Sequence, residues 1–266
     1  MKEYSSLIRP GDDEESAQSS GEDAISSLIA VSMSLIVILA SSITIIYLWK
    51  GQDGFVIERP SSALVSWQME YMELIGANNE SLAELNGEGV VVCVVDSGVD
   101  LGHPDLRGVE LRGWRDSING IEEPYDDEGH GTAMTGIIVS DGGLDGVAKG
   151  VDLLVAKAID DEGLGTDGTV SDSVDWCVEQ GADIISLSLG GSQSFGSDFF
   201  TTDELEQSVN DALDSGVFVV SSAGNDGEDD DGDVGSPGSV EDVICVGGIT
   251  RSGSICLLYT SDAADE

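Results

Sequence analysis

An α/β fold, a parallel sheet with helices on both faces, is what this sequence predicts, and three observations carry the prediction. Near-continuous runs of β-branched and apolar residues recur at 90–95, 153–156, 184–189, 217–221 and 243–246. Segments with helical patterning stand between or beside them, at 130–139, 170–180 and 203–214. Runs of this kind belong to strands buried on both faces, so helices must cover the sheet above and below. At 266 residues the chain has room for one large domain plus an appendage.

The appendage comes first. Residues 1–23 are polar and acidic without an apolar period, the composition of a disordered tail. Residues 24–49 carry no charge at all and are rich in Leu, Ile and Val. At about 1.5 Å per residue a helix of that length exceeds the ~30 Å hydrocarbon core, which predicts a single transmembrane anchor. The apolar run is too long, and starts too far in, for a cleaved secretory signal. Lys2 and Arg9 before the span are matched by Lys50 and Arg59 after it, so loop charge does not orient it. A linker at 50–63 leads to an amphipathic helix at 64–75, and Asn86-Gly87-Glu88-Gly89 turns the chain into the first strand. Farther on, the acidic run 226–233 reads as a solvated loop, and no internal repeat is present.

Charge narrows the partners. The chain carries 52 Asp and Glu against 10 Lys and Arg, a formal net charge of -42. Such a surface repels nucleic acid and anionic headgroups, so no nucleic-acid partner is expected, and contact with a membrane is expected only through 24–49. An apolar fraction of 40% sets the chain apart from acidic disordered proteins and predicts a folded domain suited to high salt, which screens self-repulsion. Cys93, Cys177 and Cys245 lie in apolar or helical stretches without close pairing or metal-ligand spacing, and read as buried free thiols. With only two histidines, a zinc site built on imidazoles is not expected.

Chemistry enters at two short strings. Asp96 closes the first apolar strand, at the carboxyl end where open α/β sheets place ligands. His130 stands between Gly129 and Gly131 at the head of an apolar helical segment. Alone, the first is a turn aspartate and the second a structural histidine. In context, Asp96-Ser97-Gly98-Val99-Asp100-Leu101-Gly102-His103-Pro104-Asp105-Leu106 and Gly129-His130-Gly131-Thr132-Ala133-Met134-Thr135-Gly136 closely resemble the subtilisin-like serine proteases, the subtilases. The order Asp, then His, with Ser expected last, is also the subtilisin order.

That resemblance implies a doubly wound parallel sheet, incomplete here, and assigns roles by position. Asp96 orients the imidazole and stabilises its charged form, and His130 acts as general base and then general acid. Ser221-Ser222-Ala223-Gly224-Asn225 resembles the oxyanion-hole string, with Asn225 the amide donor. Ser188, Leu189 and Gly190 match the strand that pairs with substrate, and Gly163, Leu164 and Gly165 fall where the opposing segment belongs. An extended protein or peptide segment adding between the two is the implied substrate. No cofactor is required for such chemistry. Asp105 matches a calcium ligand of the family, which leaves a structural calcium ion open, yet the loop 140–145 is short for one and favours a turn or capping role. Ala133 replaces a second histidine common in the family, at a position that is not catalytic.

The nucleophilic serine is not recognisable. Its Gly-Thr-Ser-Met-Ala string is expected well beyond Asn225, at the head of a helix. Residues 256–266 instead match an in-frame translation of a transposase-type sequencing adapter, so the genuine protein is expected to break off near Ile255. Ser261 follows a threonine as the nucleophile does, but lacks the glycine, the sequel and the spacing. The expectation is therefore a partial peptidase domain at 64–255, held at the cell membrane by a single pass with the domain outside the cytoplasm, and inactive as it stands. The alternative is a non-catalytic, membrane-tethered peptide-binding module on the same fold.

Overall fold

A computed structural model of the chain describes residues 29, 31–43, 60–79, 82, 84–190, 203–225 and 234–254. The chain divides into two units, Met1–Ile57 and Glu58–Glu266. In the first, residues 31–43 are helical with exposed side chains. Among the described residues no helix is long and apolar enough to cross a membrane. The rest of the 24–49 segment, the tail 1–23, the acidic run 226–233 and residues 256–266 lie outside the described residues.

The second unit is built on six parallel strands: β1 (Val91–Asp96), β2 (Leu111–Asp116), β3 (Asp152–Lys157), β4 (Ile184–Leu187), β5 (Phe218–Ser222) and β6 (Ile244–Val246). Their spatial order is β2-β3-β1-β4-β5-β6. From β1 the chain passes to β2 at one edge and returns through β3, which lies between them, whereas β4, β5 and β6 build outward in turn on the other side of β1. The winding direction therefore reverses between β1 and β4, and Asp96 ends the strand at that switch point.

Among the described residues four helices accompany the sheet: α1 (Ser62–Leu74), α2 (His130–Val139), α3 (Asp167–Glu179) and α4 (Asp203–Asp214). The Ser61 hydroxyl caps α1 by accepting from the Leu64 amide at 3.3 Å, which starts the helix at Ser62, inside the stretch read as linker. No residue of α1 is buried; it is held by the Gln68 side-chain amide, which exchanges two hydrogen bonds with the Asp145 backbone at 3.0 and 2.9 Å. Helix α3 begins three residues before the apolar pattern does. Thr166 and Thr169 form a reciprocal capping box there, so polar residues make up the first turn.

Both faces of β1 are covered. Val91, Cys93 and Val95 pack with Leu154, Ala156, Ile185 and Val219 beneath Val170, Val174 and Cys177 of α3 and Leu205, Val209 and Ala212 of α4. On the other face Val94, Leu153 and Val155 meet Val99, Leu106 and Val139 of α2. This is the period of two in a strand, used by two different helix layers.

Two expectations about cysteine need correction. Cys93 and Cys177 are fully buried, as expected, but they form a disulfide across 84 residues of sequence, with Cα atoms 5.9 Å apart. The pairing joins the centre of β1 to α3, and only the stacking of helix on sheet brings them together. Cys245 is an exposed thiol, because β6 is the outer strand and its three residues are all exposed.

Candidate active site

Five segments converge at the carboxyl edge of the sheet: the ends of β1, β3, β4 and β5 and the start of α2. Asp96 is the last residue of β1 and only 2% exposed. Its Oδ1 accepts from the Ser97 amide at 2.7 Å and lies 2.8 Å from His130 Nδ1. A carboxylate only accepts, so Nδ1 carries the ring proton and Nε2 keeps its lone pair. The imidazole is about one-fifth exposed, at 21%, open enough to meet a reacting group.

His130 is the first residue of α2, and its backbone N–H donates to Glu128 Oε2 at 2.7 Å. Gly129 precedes it with φ +107°, a left-handed turn that glycine adopts without strain. The two strings interlock through backbone. A Cβ on Gly131 would come within 2.3 Å of the Gly98 carbonyl oxygen, and one on Gly98 within 2.1 Å of the Tyr125 carbonyl oxygen. The glycines of Asp-Ser-Gly and His-Gly-Thr are therefore what let carboxylate and imidazole meet.

Two residues that motif reading passed over hold this junction. The Ser97 hydroxyl accepts from the Gly131 amide at 2.8 Å and donates to Asp126 at 2.9 Å. Asp126 also accepts from the amides of Gly129 and Thr132, at 2.9 and 2.8 Å, and from the Thr132 hydroxyl at 2.5 Å. Burial pushes the Asp126 carboxyl up, but the hydrogen bonds from Thr132, the Gly129 amide and Ser97 outweigh it and hold it below the ordinary carboxylate value. The signal in the sequence is an acidic run, Asp126-Asp127-Glu128, just ahead of a helix start, where negative charge is favoured. We expect Asp126→Asn to lower stability at neutral pH by about 2–3 kcal/mol, since an amide nitrogen cannot accept from Thr132. A lowered folded-state pKa stabilises above the unfolded value near ~4, and that margin fades as pH falls through the lowered one. Thermal melts of both proteins from neutral pH to about pH 2 should therefore converge in acid; a constant gap would reject the assignment.

The two expected substrate segments flank Asp96. Gly163, Leu164 and Gly165 follow β3, in a turn where Asp160 Oδ1 accepts from the Glu162 and Leu164 amides, both at 2.9 Å. Gly163 has φ +75°, and Leu164 is exposed. Ser188, Leu189 and Gly190 follow β4, on the other side of β1. Asn225 is exposed just past β5, after Gly224 at φ +95°. The Ser222 hydroxyl donates to the Leu189 carbonyl at 3.1 Å and ties these last two segments together.

Asp105 lies away from this edge, in a short 3-10 turn (Pro104–Leu106) capped by His103. Its backbone carbonyl accepts from the Asp141 amide at 2.9 Å and its Oδ1 from the Leu144 amide at 3.5 Å. The facing loop is closed by protein groups, with the Lys149 ammonium bonded to Asp141 at 2.7 Å and to Asp145. The hydrogen bonds that its ammonium donates to Asp141 and Asp145 raise the Lys149 pKa above its ordinary value. Among the described residues no cluster of three metal-ligating side chains surrounds Asp105. Its donor set fits a turn anchor and does not fit a calcium ion.

Against known proteins, a model described as "Subtilase family" matches residues 87–263. This chain belongs to the subtilase family. Among curated relatives, "Serine protease AprX" of Bacillus subtilis (strain 168) is 37% identical over 177 residues, covering 62% of this chain and 39% of that protein. "Intracellular serine protease" of Paenibacillus polymyxa is 36% identical over 174 residues, covering 62% of this chain and 51% of that protein. The crystal structure of a cold adapted subtilisin-like serine proteinase superposes with a TM-score of 0.56 at 29% identity, covering 66% of this chain and 60% of that one. The chain thus spans roughly two-fifths to three-fifths of the length of these relatives.

Proposed function

We propose that this subtilase is a membrane-anchored serine endopeptidase that hydrolyses peptide bonds in extended protein segments. The observation that carries the reading is the 2.8 Å contact between buried Asp96 and His130 at the switch point of the sheet. A serine supplied by the continuation of the reading frame gives its hydroxyl proton to His130 Nε2 and attacks the peptide carbonyl. The Asn225 amide donates to the oxyanion that forms, and Asp96 stabilises the imidazolium. His130 then protonates the leaving amine, and a water molecule repeats the cycle to release the acyl group. Residues 163–165 and 188–190 receive the substrate backbone on either side of Asp96. The segment 24–49 anchors the protein, with the peptidase domain outside the cytoplasm, and the 266-residue chain alone is inactive.

The test uses the protein expressed with its frame continued past Ile255, in its native membranes. A fluorophosphonate should label it and abolish cleavage of an unfolded protein, while chelators leave cleavage intact, and alkaline extraction should leave it in the pellet. Full activity in the presence of the reagent would sink the serine mechanism. Peptide binding without labelling would make the chain a non-catalytic binding module, and release at high pH would remove the anchor.

A further inference from the structure

We propose that Lys157 is a positioning residue for the Asp96 and His130 pair: its ammonium fixes the relative placement of the strand end, the helix start and the segment leading to residues 163–165. The inference rests on the endopeptidase reading and adds to it a residue outside the matched motifs. Lys157 ends β3 and stands beside Asp96 in the parallel ladder. It is fully buried, and it is the largest such side chain in the described chain. A buried ammonium is strongly disfavoured unless its donors are met and its charge is balanced, a cost that an aliphatic side chain in the same place would avoid. The position is therefore an expensive one for packing alone.

All three donors are met, and each reaches a different part of the site. Nζ donates to the Ser97 carbonyl at 2.6 Å, to Asp127 Oδ1 at 2.6 Å and to the Ile159 carbonyl at 2.7 Å. Ser97 is the residue whose amide bonds Asp96 and whose hydroxyl accepts from Gly131, so one residue joins the ammonium to both members of the pair. Asp127 lies between Asp126, which holds the start of α2, and Glu128, which accepts from the His130 amide. Ile159 begins the run toward Gly163. The Tyr125 ring lies 5.1 Å from Nζ and closes the remaining side. Asp127 balances the charge from a partly exposed position, at 38%.

The experiment reads the imidazole directly in the full chain. With only two histidines, labelled His130 is assigned by comparison with His103→Ala, and its Nδ1 proton and titration midpoint are followed by NMR. The charges facing His130 are Asp96 from β1 and Asp126 and Glu128 from the turn before α2, with the Lys157 and Asp127 pair behind Ser97. Lys157→Met fills the volume without the charge. It should abolish the slowly exchanging Nδ1 proton signal while the thermal melt stays cooperative. Asp127→Asn keeps the ammonium but removes its counter-charge, which disfavours the imidazolium. It should lower the His130 midpoint by on the order of half a pH unit. Variants that shift the melting temperature but leave proton signal and midpoint at wild-type values make Lys157 a packing residue and overturn the proposal. Should Lys157→Met not fold, an unmoved midpoint in Asp127→Asn overturns it alone. Absence of the hydrogen-bonded Nδ1 proton in the wild type is a different failure, because it removes the pair itself and the endopeptidase reading with it.

Discussion

Replacing Asp96 by Asn lowers kcat by about four orders of magnitude in the frame-restored protein, because it disrupts the tautomer on which proton transfer depends. In the folded chain Asp96 Oδ1 already accepts from the Ser97 amide and faces His130 Nδ1. An asparagine whose carbonyl oxygen takes the Oδ1 place can keep both contacts, but the carboxylate charge that stabilises the imidazolium is gone. If the new amide nitrogen faces the ring instead, Nδ1 must accept, the proton moves to Nε2, and the base is lost. The effect belongs in kcat, since Asp96 is 2% exposed and has no route to the substrate. Steady-state kinetics on an extended chromogenic peptide decide it. A loss of less than about tenfold, or one confined to KM, would mean that Asp96 is a structural aspartate at a strand end.

The sequence made the pair legible for a reason that the structure explains. Asp96 and His130 each sit at the end of a strongly patterned element; Gly131, next to His130, lets α2 meet the Gly98 backbone, and Gly98, two residues past Asp96, makes room for the Tyr125 carbonyl. Five of the six strands were legible as well, because β1, β3, β4, β5 and β6 are short apolar runs bounded by polar turns. The sixth, β2, was missed: Leu111–Asp116 contains Arg112, Gly113 and Arg115, and as an edge strand only Asp116 is buried. Its pattern carries no period of two, and pairing to β3 alone determines it. Asp126 and Lys157 were missed for another reason. Their partners are backbone groups of Ser97, Gly129, Thr132 and Ile159, and a carbonyl or amide leaves no trace in residue identity. The loop facing Asp105 is closed by Lys149 with Asp141 and Asp145, exposed side chains whose pairing leaves no pattern in the sequence.

Removing the disulfide by the pair Cys93→Ala and Cys177→Ala lowers unfolding free energy by about 2–5 kcal/mol, with the chain-entropy model placing a loop this long toward the upper end. The loop that it closes spans 84 residues, and the bond joins β1 to α3 through the larger of the two core clusters. Free buried thiols would behave differently: their loss leaves small cavities but no change in the freedom of the unfolded chain. The two readings separate in one measurement. Denatured, unreduced protein is alkylated, digested and weighed peptide by peptide; the Cys245 peptide carries reagent while the Cys93 and Cys177 peptides do not, and both become reactive after reduction. Alkylation of Cys93 and Cys177 without reduction would reject the bond and restore the free-thiol reading. The bond also bears on where the domain works. Disulfides persist in oxidising compartments and are kept reduced in most cytoplasms, so a fully formed Cys93 and Cys177 bond in protein taken from cells supports the extracytoplasmic placement proposed above. Both sulfurs are fully buried, so the folded domain should resist mild reductant, and loss of the bond should track unfolding. A bond absent from protein recovered under thiol-trapping conditions would place the domain in a reducing compartment instead.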